Sequence, residues 1–194
     1  GRSAPSLLNS YSAERQAVAK ELIDFDREWA EILASAKGDN KGADAAQTQD
    51  YFVRHGRYTA GTATYYRPSL LTAPADHQHL ATGFIIGTRF HSAPVIRLAD
   101  AKPLHLGHVA KADGRFRIFV FAGRGDPAAD NSPVRALCDF LSASPMSPVK
   151  KHTPSGADID SVIDVRAVFQ QALAELAIEA MPALLLPPKG RYGL

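Results

Sequence analysis

Apolar positions in the first forty residues repeat at helical spacing. Tyr11, Val18, Leu22, Phe25, Trp29 and Ile32 are separated by 7, 4, 3, 4 and 3 residues, which puts them on one face of a helix. The pattern predicts one long helix from Ser12 to about Lys37. Ser10 or Ser12 would cap it, Glu14 would sit in its positive first turn, and Gly38 would end it. The stripe is wide and aromatic, so such a helix must pack on something large.

Residues 38–49 (GDNKGADAAQTQ) are small and polar and read as a linker. Tyr51–Tyr58 reads as a short helix or an extended arm. Thr59–Leu71, with Gly61 and Pro68 among β-branched and aromatic residues, reads as a surface-lying extended segment, and Pro74–His79 as a loop.

Strand and helix signals then alternate. Ile85-Ile86 leads through the turn-rich Gly87–Phe90 into Pro94–Leu98, and Lys102–Leu106 is a neighbour for it to pair with. Asp113-Gly114 is a turn before Phe116–Ala122 (FRIFVFA), the strongest strand signal in the chain. Pro133–Leu141 predicts a helix with proline in its first turn, and Ser142–Pro148 a loop. Ser161–Phe169 predicts a buried strand, Ala172–Ala180 a helix, and Ala183–Leu186 a strand stopped by Pro187-Pro188. This order is an α/β pattern, implying a right-handed crossover and a mixed sheet. Phe116–Ala122 and Ser161–Phe169 are expected at its centre, with Phe119, Phe121, Ile163 and Val165 buried.

The 194 residues include 45% hydrophobic and 22% charged side chains, which excludes bulk disorder. No apolar run reaches the roughly 20 residues of a membrane span, and nothing resembles a secretion signal. With 22 basic against 20 acidic residues and no aromatics among the basic ones, no nucleic-acid partner is expected. Cys138 is the only cysteine, which rules out an internal disulfide and a CxxC pair and suits a reducing, cytoplasmic setting.

The chemical candidates are few. Neither GxGxxG nor GxxxxGK[ST] occurs, and Gly123-Arg124-Gly125-Asp126 is too short for a phosphate loop and reads as a turn. The pairs His77/His79 and His105/His108 lie in separate loops and read as surface histidines rather than a metal site. Cys138 falls mid-helix and reads as a buried thiol, not a nucleophile at a helix N-terminus. Asp158 and Asp160 would form a polar turn. Asp164 would either share a strand face with Asp160 as a carboxylate pair or bind Arg166 or Arg135. No residue is assigned as catalytic, cofactor-binding or metal-binding.

Four segments carry a family resemblance: the helix start Leu7–Arg15 with Tyr11-x-x-Glu14-Arg15, Tyr58-Thr59-Ala60-Gly61 leading to Pro68–Thr72, Gly87–Asp100 (GTRFHSAPVIRLAD), and Gly156–Arg166 (GADIDSVIDVR). Together they resemble the C-terminal part of the phenol 2-monooxygenase-type flavoprotein aromatic hydroxylases. The resemblance implies three parts. Residues 1–37 would be the terminal helix that closes a FAD-binding domain, 38–81 a linker and arm, and 82–194 a thioredoxin-like domain without redox cysteines that contributes to a homodimer. It also implies a parent enzyme that uses FAD, NAD(P)H and O2 to hydroxylate a phenolic substrate.

In that reading the nucleotide fingerprint and substrate pocket precede Gly1. The chain alone is then expected to bind no FAD and to be inactive, with both of its ends cut. The alternative is a free-standing, redox-inactive thioredoxin-like binding module. The Tyr11–Ile32 stripe disfavours it, because a free module would leave a long aromatic helix uncovered.

Overall fold

The computed structural model describes residues 4–35, 49–53, 55–58 and 60–188. The chain forms two compact units, Gly1–His91 and Ser92–Leu194.

In the first unit the predicted long helix is α1, Leu8–Ser35. It starts earlier than the serines suggested, because a 3-10 turn at Pro5–Leu7 runs straight into it. Neither Ser10 nor Ser12 is therefore an N-cap. Ser10 lies inside the helix, where its buried hydroxyl donates to the Leu7 carbonyl at 2.6 Å. The expected end at Gly38 and nearly all of the linker lie outside the described residues.

Residues 49–53 and 55–58 are helical and carry the rings that meet the α1 stripe. Trp29 stacks on Tyr51 at 5.6 Å and meets Phe52 edge-on at 4.5 Å. Phe25 lies 5.5 Å from Tyr51 and 5.0 Å from Tyr58. Phe25 and Trp29 of the stripe thus find partners within the chain itself.

Residues 60–76 are irregular, as their glycine and proline content suggested. Ile85-Ile86 is a turn rather than a strand, and the following Thr88 makes an isolated antiparallel bridge to Tyr65. Gly87 sits beside it at φ +88°. A Cβ there would lie 2.1 Å from the Tyr66 carbonyl oxygen, so the close approach admits only glycine.

Among the described residues the second unit holds two separate two-stranded sheets, not one mixed sheet. Strands β1 (Pro94–Ile96) and β2 (Pro103–His105) form an antiparallel hairpin. Strands β3 (Phe116–Phe121) and β4 (Ile163–Val168) pair in parallel, with Phe116 opposite Ile163 and Phe121 opposite Val168. Between them come α2, Pro133–Ala143, capped by Ser132, and α3, Pro148–His152, capped by Ser147. The serine-proline starts follow one rule: the hydroxyl accepts an orphan N–H and proline needs none. Ser147-Pro148 reads as loop in the sequence because only one turn of helix follows it.

The core lies between the β3–β4 pair and α2. Val134, Cys138 and Leu141 on α2 meet Ala122, Ile163, Val165, Val149 and Leu184. Strand alternation turns Ile118 and Val120 toward this core, so Arg117, Phe119 and Phe121 point the other way. This corrects the expected burial. Ile163 and Val165 are buried, but Phe119 is only half-buried and Phe121 is 50% exposed. Nor are these strands central, because each is an edge of a two-stranded sheet among the described residues.

Two elements near the C-terminus also differ from expectation. The predicted helix 172–180 is two 3-10 turns, Leu173–Glu175 and Ile178–Ala180. A helix that short is marginal alone, and Arg135 takes the Ala180 carbonyl at 3.3 Å. The predicted strand 183–186 is a further 3-10 turn, Ala183–Leu185, which drives Leu184 into the core instead of pairing with β4.

Candidate functional site

The loop after β3 is tied down by glutamines from the end of β4. Gln170 donates to the Ala122 carbonyl at 2.9 Å, and Gln171 donates to the Gly125 carbonyl at 2.6 Å. Asp126, which is exposed, accepts the Ala128 N–H at 2.8 Å. The loop is therefore held on its carbonyl side by the two glutamine amides.

The histidine rings of His77 and His79 lie 6.4 Å apart, and those of His105 and His108 5.6 Å apart. Among the described residues no group of three or more potential ligands could hold a metal. Cys138 is 1% exposed, and burial pushes its thiol pKa up, with Asp139 adding to the effect. A thiol raised in this way is a poor nucleophile.

The carboxylates belong to a charge network at the start of β3 and β4. Asp164 binds Arg166 at 2.8 Å and has Arg117 at 3.8 Å, so of the arrangements open to it the structure shows the Arg166 pair. Asp160 meets Arg115 at 3.2 Å, while Asp158 is exposed in the preceding turn. Asp113 receives Arg115 at 2.8 Å and Arg117 at 2.7 Å. The hydrogen bond from Arg115 holds the Asp113 carboxyl well below the usual carboxylate range.

Three aspartates against three arginines leave no net charge. A carboxylate held so acidic is a weak base at neutral pH. The network clamps the residues before β3 to those before and within β4, and it suits architecture rather than proton transfer. Asp113, Arg115 and Arg117 were missed in the sequence. Their signal was the alternation Arg115-x-Arg117 beside Asp164-x-Arg166, which puts opposite charges on one face of neighbouring strands.

What remains is a surface on the first unit. An open groove of about 430 Å³ is lined by Val18, Leu22, Phe25, Tyr58 and Thr64. Burial raises the Tyr58 pKa, with smaller contributions from Glu21 and Asp26. Glu14 accepts a hydrogen bond from the Ser69 hydroxyl at 2.8 Å, and Arg15 donates to the Tyr66 hydroxyl at 2.9 Å. The Glu-Arg pair at the head of the helix thus holds residues 66–69 against it.

The helical residues 49–53 and 55–58 cover only one flank of the stripe. Tyr11, Leu22 and Leu33 on the other flank are exposed, Tyr11 by 71%. Among the described residues no helix is long and apolar enough to cross a membrane. Among the described residues the exposed flank of α1 thus offers a surface suited to packing against protein.

Residues 64–194 match the sequence family described as phenol hydroxylase, C-terminal dimerisation domain. Over 193 residues, 98% of this chain and 30% of the relative, it is 56% identical to 3-hydroxybenzoate 4-monooxygenase of Comamonas testosteroni. It is 34% identical over 197 residues to the FAD-dependent monooxygenase terD of Aspergillus terreus, covering 99% of this chain and 32% of that one. The phenol 2-monooxygenase fsqG of Aspergillus fumigatus is 28% identical over 179 residues, 87% of this chain and 29% of that one. The chain spans about a third of the length of these curated relatives.

Proposed function

The chain belongs to the phenol hydroxylase C-terminal dimerisation domain family, and from that premise we propose that it is the C-terminal part of a flavin-dependent aromatic monooxygenase and helps to hold two subunits together. The observation that carries this reading is the 56% identity to 3-hydroxybenzoate 4-monooxygenase across nearly the whole chain. The parent enzyme would use NAD(P)H and O2 to convert a phenolic acid such as 3-hydroxybenzoate to 3,4-dihydroxybenzoate, the second oxygen atom leaving as water. FAD, named for a relative, would be its cofactor, and the cytoplasm its setting.

This chain itself is expected to hold no FAD. The loop after β3 is held on its carbonyl side by the two glutamine amides, and the groove beside α1 has apolar walls apart from Tyr58 and Thr64. We assign it no catalytic, cofactor or metal residue. Its role is architectural, with residues 1–37 completing a FAD-binding domain, 38–81 linking, and 82–194 forming a thioredoxin-like domain. Strands β3 and β4, parallel and joined through α2 and α3, support that last assignment.

The exposed flank of α1 speaks against a free-standing binding module. Apolar surface of that kind favours burial by about 25 cal/mol per Å², so a larger protein is its natural cover.

The test uses the full-length protein. It should purify yellow, consume NAD(P)H in the presence of 3-hydroxybenzoate or phenol, and form a catechol product. A colourless protein that FAD does not reconstitute would overturn the reading. The 194-residue chain incubated with FAD and desalted should show no flavin absorption, and stoichiometric retention would refute its architectural role.

A further inference from the structure

The outward face of α2 carries features that neither the fold nor the charge network uses. Its inward residues are Val134, Cys138 and Leu141, which leaves Ala136, Asp139, Phe140 and Ala143 on the solvent side. Phe140 is 46% exposed, and Met146, just past the helix end, is 79% exposed. Phenylalanine and methionine are enriched at protein interfaces, and alanines at either side let a second helix approach closely.

Two charges frame this apolar centre. Asp139 is exposed and, among the described residues, makes no ion pair. Arg135, one turn earlier, is turned away toward the Ala128 and Ala180 carbonyls. Lys150 reaches back from α3 so that its ammonium donates to the carbonyl of Ala143 at 3.2 Å, and it too makes no ion pair there. Asp139 and Ala143 lie two residues to either side of Leu141, each displaced by about 3 Å along the axis.

We infer that α2 packs antiparallel against α2 of a second copy of this chain, about a two-fold axis at the level of Leu141. Phe140 meets its counterpart near the axis. Each Asp139 faces the Lys150 ammonium of the other copy, because a two-fold exchanges the acidic and basic ends of the patch. The surface is self-complementary in charge, as an interface between identical subunits must be. This inference rests on the dimer reading above and deepens it by naming the surface.

The test is a charge swap in the full-length protein, read by analytical ultracentrifugation across a dilution series. Asp139→Lys and Lys150→Asp should each weaken the dimer about tenfold or more by placing like charges opposite one another, and the double swap should restore it. Phe140→Asp should yield monomer with an unchanged far-UV circular dichroism spectrum. A dimer that all of these variants leave intact would refute the α2 surface while sparing the dimer reading. Single swaps that weaken the dimer without rescue by the double swap would also refute the pairing. A wild-type protein that is monomeric at every concentration would remove the dimer reading and this inference with it.

Discussion

Arg115 and Arg117 share one oxygen of Asp113, and Arg97 makes a two-point contact with Asp100 on the hairpin. The hydrogen bond from Arg97 lowers the Asp100 pKa from 3.8 to about 2, and Asp113 moves further in the same direction. A carboxyl depressed on folding stabilises the native state fully above its ordinary pKa, and that share is lost as pH falls through the folded value. The melting temperature should therefore hold between about pH 7 and 5 and fall as pH drops from about 4 toward 2. Asp113→Asn should melt lower at neutral pH and show a shallower acid slope, as followed by circular dichroism. An unchanged acid slope would mean that the network does not hold in solution. The pairing was only half legible in the sequence: Asp164 with Arg166 could be proposed from proximity along a strand, but Asp160 with Arg115 joins residues 45 positions apart.

At the scale of elements, the α1 stripe was legible because period 3.6 is a local property of the chain. What would cover it was not. Trp29 contributes a stacked contact with Tyr51 and an edge contact with Phe52, and such pairs are worth about 0.5–1.5 kcal/mol each beyond their area. Trp29 is half-buried rather than enclosed, so Trp29→Ala should cost about 1–3 kcal/mol, less than truncating a fully buried ring. The loss should appear as faster amide exchange in residues 51–58, with α2 and β4 unaffected. Equal protection in wild type and variant would show that the two rings do not anchor that segment. The short elements failed as sequence readings for a related reason. Residues 172–180 have good helix formers but too few turns to sustain a helix alone, so a long-range bond from Arg135 to the Ala180 carbonyl and a local one from the Ala172 N–H to the Glu175 carboxylate set their shape.

At the scale of the whole molecule, the buried apolar residues are unevenly shared. Among the described residues, Tyr51 alone represents the first unit, whereas Leu106, Ala122, Val134, Cys138, Leu141, Val149, Ile163, Val165, Met181 and Leu184 belong to the second. Local stability follows buried apolar contact. Hydrogen exchange should therefore show α1 and residues 49–58 opening at lower free energy than α2, β3 and β4, and limited proteolysis should cut first within the first unit. Simultaneous exchange of both units would contradict this division.

The sequence alone determined what depends on neighbours along the chain: the long amphipathic helix, the hairpin, the strands β3 and β4, the proline-led start of α2 and the family to which the motifs belong. Periodicity, turn chemistry and capping act over a few residues, so they are written locally. Only the tertiary structure decided which strand face is covered, that β3 and β4 stand as a pair rather than at the centre of a broad sheet, and that Phe121 faces outward while Leu184 turns in. It also decided which arginine meets which aspartate. Those outcomes depend on groups tens of residues apart competing for the same buried surface and the same carboxylates, and that competition is settled only when the chain has folded.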